Sequence, residues 1–319
     1  MTDPSPALLL EQATRAALSW GELKAPPQPI ANRENAIFRI DLADGRRGAL
    51  RLHRIGYQTH AAIEAELTWT KALAAGGFPC PKPLPTRDGA LLSSQPDAPV
   101  ASLIEWIDAA PIGAMGATFA GSPSQKADHY HRLGQLLADL HQRTDALALP
   151  PQPRHRWDIE GLVGEAPLWG RFWENAALTP VESDLLRATR DAVRETLTAL
   201  QKPDFGLIHA DVLQENILWD GTQMFLIDFD DSGYGFRGFD LGTAMIQHAR
   251  SPDLDDLSTA LIEGYSGIDR KRLAEELPLF TLLRALASAG WVMPRMAPEA
   301  PLQRLYAERA LHLAARWMR

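Results

Sequence analysis

Between residues 207 and 231 the chain reads LIHADVLQENILWDGTQMFLIDFDD, where acidic, amide and histidine side chains recur at a spacing that a known chemistry requires. Leu207-Ile208 leads into His209-Ala-Asp211, and Asn216 then opens an apolar run, Ile217 to Trp219, that Asp220-Gly221 breaks. A second run, Met224 to Ile227, follows, so strand, turn and strand are expected. Pairing back around Thr222 would set Asn216 opposite Asp228, roughly 5 Å apart between Cα atoms, with Asp211 near the same end. An amide oxygen and a carboxylate so placed make a hard oxygen site that takes Mg2+ jointly with substrate phosphates. Asp211 beside that cation would orient an attacking hydroxyl and accept its proton, the arrangement phosphoryl transfer uses. His-x-Asp-x4-Asn also arises by chance, and an Asp- and Asn-rich turn is often only a turn. The second strand, ending in Ile227-Asp228-Phe229, supplies the structural context that the motif demands.

His209-Ala-Asp211-x4-Asn216 followed by Ile227-Asp228-Phe229-Asp230 resembles the aminoglycoside phosphotransferase, choline kinase and homoserine kinase superfamily, a branch of the protein-kinase-like fold. The resemblance implies that Asp211 is the catalytic base or hydroxyl-positioning residue, that Asn216 and Asp228 ligate Mg2+, and that His209 shapes the catalytic loop. It also implies that Asp240 braces that loop through backbone N–H groups and has no chemical role. Position 230 is Asp where protein kinases place Gly, and no Lys stands two residues after Asp211. These departures point to the small-molecule branch.

The rest of the chain must position these groups. With 319 residues, 45% of them hydrophobic and 23% charged, it is long enough for two lobes with a buried core. The one cysteine, Cys80, excludes an internal disulfide and a cysteine-rich zinc site; a free buried thiol suits a reducing cytoplasm. The first residues lack a basic segment followed by a long apolar core, and no run approaches the roughly 18 apolar residues of a membrane helix. Neither export nor membrane insertion is expected. A formal net charge of −8 argues against a general nucleic-acid-binding surface.

Residues 1–20 carry Leu8, Leu9, Ala13 and Ala17 near helical spacing, and Pro26, Pro27 and Pro29 read as a linker. Two alternating runs, 36–41 and 48–53, flank Ala43-Asp44-Gly45 and predict a hairpin. By resemblance this hairpin closes over ATP, with Asn32-Arg33-Glu34-Asn35 in the phosphate-loop position; a solvated polar turn is the other reading of Asn32 and Asn35. Over 61–75, the spacing of Ile63, Glu66, Leu67, Thr70 and Ala74 puts Glu66 on the inward face of a helix. A carboxylate facing a core needs a partner, and Arg51, between Leu50 and Leu52, is the one at hand. The pair resembles the family's strand-Lys to helix-Glu pair that positions ATP phosphates, with Arg for Lys, whose planar fork is not equivalent. A surface ion pair is the plain alternative. Pro79, Pro81, Pro83 and Pro85 mark an extended connector, and 101–107 reads as the last strand before a hinge. The family's adenine contact falls on the backbone here, which nominates Glu105 and Ile107.

From His129 onward, Leu133, Leu136, Leu137 and Leu140 predict a long amphipathic helix, with His131 and His141 on its polar edge and solvated. Residues 151–180 combine Trp157, Trp169 and Trp173 with Arg154, Arg156 and Arg171, either an acceptor pocket, with Trp169 and Trp173 as contacts, or a scaffold packed by tryptophans. Asp230 and Asp231 would face an acceptor amine or sit solvated in a turn. Gly233 to Phe236 reads as a flexible loop, and helical runs follow near 254–265, 271–289 and 301–318, in which Arg284 has no assignable role. The expectation is an α+β, bilobal protein-kinase-like fold with an antiparallel N-lobe over 1–107 and a helical C-lobe over 108–319, ATP and Mg2+ between them. The expected reaction moves the γ-phosphoryl group to a hydroxyl of a small amino-alcohol, homoserine-like or aminoglycoside-like acceptor. A bacterial Ser/Thr protein kinase of similar fold and a nucleotide-binding pseudokinase module are the competing readings.

Overall fold

The computed structural model describes residues 4–32, 34–117, 119–266 and 269–319, so Arg33 of the expected phosphate loop lies outside it. The chain forms two compact units, residues 1–110 with 147–153 and 225–230, and residues 111–146, 154–224 and 231–319. Asp228 and Asp230 therefore fold with the first unit, and Asp211 and Asn216 with the second.

In the first unit, α1 (Pro6–Ala17) starts at Ser5, whose side chain accepts from the Leu8 N–H, with Pro at the first helical position. Strands β1 (Gln28–Asn32), β2 (Ala36–Asp41), β3 (Arg47–Leu52), β4 (Leu92–Ser93) and β5 (Ala101–Glu105) make an antiparallel sheet in the order β1-β2-β3-β5-β4. The expected Pro-rich linker therefore ends in a strand. Pro29 is tolerated there because β1 is an edge strand, and the register shifts between Pro29 and Ala31. Leu9, Ala13, Ala16 and Ala17 of α1 pack with Phe38, Ile40, Leu50, Leu52 and Leu103 on one face of the sheet. The two-residue period of β3 sends Arg51 to the opposite face. There α2 (His60–Ala75), capped by Thr59 accepting from Ala62 N, presents its buried Glu66. Cys80 is buried with no disulfide partner, and burial pushes its thiol up to about 12.

The chain leaves this unit through β6 (Ala110–Pro111). In the second unit follow α3 (Pro123–Ala146), β7 (His155–Trp157), α4 (Ile159–Val163), α5 (Pro180–Ala199), β8 (Phe205–Ile208) and β9 (Ile217–Trp219). After β9, Asp220 Oδ1 accepts from Thr222 N and Gln223 N, at 2.7 and 2.8 Å, and Gly221 takes φ 102°. That is the turn read from Asp-Gly. β10 (Met224–Leu226) then carries the chain toward Asp228, and β11 (Gly233–Phe236), α6 (Gly238–Met245), α7 (Leu254–Gly264), α8 (Arg270–Trp291) and α9 (Pro301–Trp317) complete it. The segment expected to be a flexible loop, 233–236, is instead the central strand of a sheet, parallel to β7 and antiparallel to β8. A Cβ on Gly235 would lie 2.5 Å from an Ile208 methyl and 2.7 Å from Trp157 Cβ, so here glycine serves close strand packing, not mobility. α8 is the axle of this unit: Leu279, Phe280, Leu282, Leu283 and Leu286 pack with Trp157, Phe172, Trp173, Phe236 and Phe239. Among the described residues no helix is long and apolar enough to cross a membrane.

Candidate active site

β8 ends at Ile208 and delivers His209, Ala210 and Asp211 into a loop whose shape is set by one buried acid. Asp240, fully buried on α6, accepts from His209 N at 3.0 Å, from Ala210 N at 2.7 Å and from His141 Nε2 at 3.0 Å. Burial pushes this carboxyl up, but the His141 hydrogen bond and charge, with the backbone N–H donors, outweigh it and hold it below the usual range. The grip lets Ala210 adopt φ 67°, a left-handed conformation that ordinary residues resist and that active-site loops often store. His209 is also fully buried, and its Nδ1 accepts the Asp211 N–H at 3.2 Å. His141 is not solvated on a helix edge, as its spacing suggested, but 1% exposed, held between Asp240 and the Tyr265 hydroxyl at 2.8 Å.

Asp211 itself stays partly open, its side chain 18% exposed. Its Oδ1 accepts from Arg284 Nη2 at 2.7 Å and its Oδ2 from Asn216 Nδ2 at 2.8 Å. Asn216 also donates to the Asp211 carbonyl at 2.9 Å, so its nitrogen is committed and its Oδ1 is the atom left to meet a cation. Burial raises the Asp211 carboxyl above the usual range; Arg284 pulls the other way without cancelling it, and Glu215 adds to the rise. Asn216 sits in the single turn Gln214–Asn216, anchored where Gln214 N donates to Gln247 Oε1 at 2.8 Å and Gln214 Nε2 meets His248 Nε2 at 2.9 Å. His248 is buried beside the Tyr130 hydroxyl, and burial pushes it down to about 4.

Arg284 is the residue that sequence reasoning missed. It stands on α8 in the run Leu282-Leu283-Arg284-Ala285-Leu286, and a charge inside such an apolar stretch was the available signal. It also donates to the Ala210 carbonyl at 3.3 Å and lies over the Trp169 ring, 4.7 Å from its centroid. Trp169 thereby belongs to the surroundings of Asp211. Trp173 does not: it is 1% exposed, packed edge-on against Phe172 and flanked by Arg171 and Arg190 in the core.

The first unit holds a second cluster. Arg51 Nη1 meets Glu66 Oε1 at 2.8 Å, Arg51 Nη2 meets Asp228 Oδ1 at 3.3 Å, and Asp230 Oδ1 lies 3.7 Å from Nη1. Burial disfavours the guanidinium, but the three carboxylates outweigh it and raise its pKa well above the usual value. Asp228 reaches outward, its side chain 49% exposed, from a left-handed backbone at φ 66°. Asp230 does not face an acceptor. It is buried, because Asn35 Nδ2 donates to its Oδ2 at 3.0 Å and Gln58 Nε2 to its carbonyl at 3.1 Å. Asn35 Oδ1 in turn accepts from Arg54 N at 3.0 Å, so the amide that donates to Asp230 is itself held at both ends. Glu105 ends β5 with an exposed side chain and an N–H given to the Lys82 carbonyl at 2.8 Å; Ile107, half-buried beyond it, accepts from Ala109 N at 3.0 Å. Asp231, in the second unit, gives its carbonyl to Trp157 Nε1 at 2.8 Å.

The profile of the phosphotransferase enzyme family matches residues 27–275. The chain belongs to that family. The chain is 24% identical over 232 residues to the amicoumacin kinase of Bacillus subtilis (strain 168), covering 69% of this chain and 62% of that protein. It is 29% identical over 224 residues to a homoserine kinase of Rhizobium johnstonii, covering 67% and 63% of the two chains. The match thus spans less than two thirds of either kinase. A protein of Deinococcus radiodurans with no assigned activity is 30% identical over 273 residues, covering 80% of this chain and 72% of its own. Among solved structures, a microcompartment-associated aminopropanol kinase superposes with a TM-score of 0.80 at 26% identity, over 98% of this chain and 97% of its own. An amicoumacin kinase in complex with AMP-PNP, Ca2+ and Ami shares the fold, with a TM-score of 0.78 at 17% identity over 98% and 94%. The chain has the α+β protein-kinase-like fold that the motif at 209–230 implied.

Proposed function

We propose that this chain moves the γ-phosphoryl group of ATP, with Mg2+, to a hydroxyl of a small molecule. The observation that carries the reading is Asp211: a partly open carboxylate, oriented from both sides by Arg284 and Asn216, on a loop held in a strained shape by Asp240. A carboxylate so fixed can hold an attacking hydroxyl in line and take its proton as the bond to phosphorus forms. A burial-raised carboxyl is a better proton acceptor than a free one, and the Arg284 guanidinium favours its ionised form.

The residues fit a magnesium ion. In the second unit Asn216 offers its Oδ1 as a cation ligand, and in the first unit Asp228 offers a half-exposed carboxylate 3.3 Å from Arg51. Among the described residues no three His, Cys, Asp or Glu side chains converge as a ready-made cage, which suits a cation that takes most of its ligands from phosphates and water. When bound, Mg2+ would neutralise charge on the transferred group. Arg51, tied to Glu66, and the segment from Glu105 to Ile107 would serve the nucleotide, the first its phosphates and the second its base. The named kinases among the relatives, for amicoumacin, homoserine and aminopropanol, support a small-molecule acceptor.

A screen of amino alcohols, homoserine, choline and aminoglycosides for ATP consumption tests the reading. With an acceptor in hand, Asp211→Asn should lower kcat by about 10²–10⁴-fold while the melting temperature holds. Turnover that survives this change undiminished would remove Asp211 from the mechanism.

A further inference from the structure

From Asp211 a continuous run of side chains leads across the second unit. Arg284 joins Asp211 to the Trp169 ring, Trp169 meets Trp291 with centroids 6.5 Å apart, and Trp291 meets Tyr306 edge-on at 6.3 Å. Arg309, one turn along α9, lies over the Tyr306 ring, 5.4 Å from its centroid. Trp169 and Trp291 are half-buried, and Met115, whose sulfur accepts from the Tyr306 hydroxyl at 3.3 Å, is exposed. The run is thus an open aromatic floor leading away from the base. Burial raises the Tyr306 hydroxyl, while Arg309 and Arg284 pull it down and Glu215 and Asp211 push it up, so all four charges lie around this ring.

Most charges here have a partner. Asp211 is matched by Arg284 at 2.7 Å and Arg250 by Glu308 at 3.9 Å, while Glu215 takes a neutral donor, Gln247 Nε2, at 2.8 Å. Among the described residues Arg309 makes no hydrogen bond or ion pair, only its contact with the Tyr306 ring. Burial first, then the neighbouring charges of Arg284 and Arg250, lower its pKa despite Tyr306 and Glu215. A guanidinium partly withdrawn from water beside two like charges is costly unless an anion meets it, and its planar fork fits a carboxylate or phosphate with two parallel hydrogen bonds.

We propose that Arg309 recognises an anionic group, a carboxylate or phosphate ester, on the acceptor whose hydroxyl Asp211 receives. The acceptor is then a hydroxylated acid, and an amino alcohol without an anion is a poor one. This rests on the reading of Asp211 as the hydroxyl-positioning residue.

The test is titration calorimetry of the full chain with ω-hydroxy carboxylates of graded chain length, the matching amides and the matching phosphate monoesters, scored without reference to turnover. At least one charged series should bind roughly tenfold or more tighter than its neutral counterpart, and which one does so separates carboxylate from phosphate. Arg309→Met should erase that difference, and Arg309→Lys, which keeps the charge without the fork, should retain part of it. Equal affinity of charged and neutral members, no binding by any member, or a preference that persists in Arg309→Met would overturn the proposal. So would an Arg309→Lys variant whose KM for ATP rises while that for the charged acceptor does not. Failure of the kinase reading shows separately, as a bound acceptor that never consumes ATP.

Discussion

The two charged clusters, one in each unit, are built on opposite arithmetic. In the first, one guanidinium, Arg51, serves three carboxylates, Glu66, Asp228 and Asp230. In the second, one open carboxylate, Asp211, is met by Arg284, with Arg309 beyond it lacking any anion among the described residues. The first is a guanidinium set among acids, and the second is an acid approached by guanidinium groups. Burial separates them as well: Arg51 and Glu66 are 7% and 4% exposed, so their pairing is structural, whereas Asp211 keeps an open edge for chemistry.

The sharpest way to break this contrast is Arg51→Met. It takes away the buried cation that Glu66 meets at 2.8 Å, and urea unfolding should show a loss of about 3–5 kcal/mol. A change below about 1 kcal/mol would mean that the first cluster is not held by its cation. Next in size is an acid effect on the second cluster. His248 titrates near 4 in the fold against 6.5 in the open chain, so neutral His248 favours the fold in full above 6.5, and that support is lost as pH falls from there toward 4. Unfolding midpoints should record a loss on the order of 3 kcal/mol over this window, and His248→Asn should flatten the slope. Smaller again is Arg284→Gln. Arg284 restrains the burial-driven rise of Asp211, so its loss raises that carboxyl further, and the acid limb of kcat against pH should move to higher pH. Rates at the acid end fall about tenfold for each pH unit of movement, and Arg284→Lys should move the limb less. Smallest in stability is Asp228→Asn, within about 1 kcal/mol of the parent because the side chain is half exposed. Calorimetry should nonetheless show that Mg2+ no longer strengthens nucleotide binding to this variant.

Much of this was legible in the sequence wherever a short-range period set the geometry. The alternation of β3 and the helical spacing of α2 sufficed to bring Arg51 to Glu66, and Asp220-Gly221 announced its turn. The motif from His209 to Asn216 is local, and so is the contact between Asp211 and Asn216. What could not be read depends on contacts between distant segments. Arg284 reaches Asp211 across 73 positions, and His141 reaches Asp240 across 99. Nothing near either residue encodes its partner. Asp230 and Asp231 looked alike as neighbours, yet Asn35, far away in the chain, draws one of them inside. Trp169 and Trp173 were equivalent on paper as well, and only the packing of α8 separates the one beside Arg284 from the one in the core. The glycines at 233 and 235 were misread because tolerance of close packing and freedom to bend share one residue type.

The polypeptide passes from one unit to the other five times, after residues 110, 146, 153, 224 and 230. A gene fragment that stops at 110 would encode most of the first unit but omit Asp228 and Asp230, leaving Arg51 with Glu66 alone. Neither half is one continuous stretch of sequence, and a copy truncated by recombination would lose Asp228 and Asp230 from the Arg51 cluster along with the missing piece.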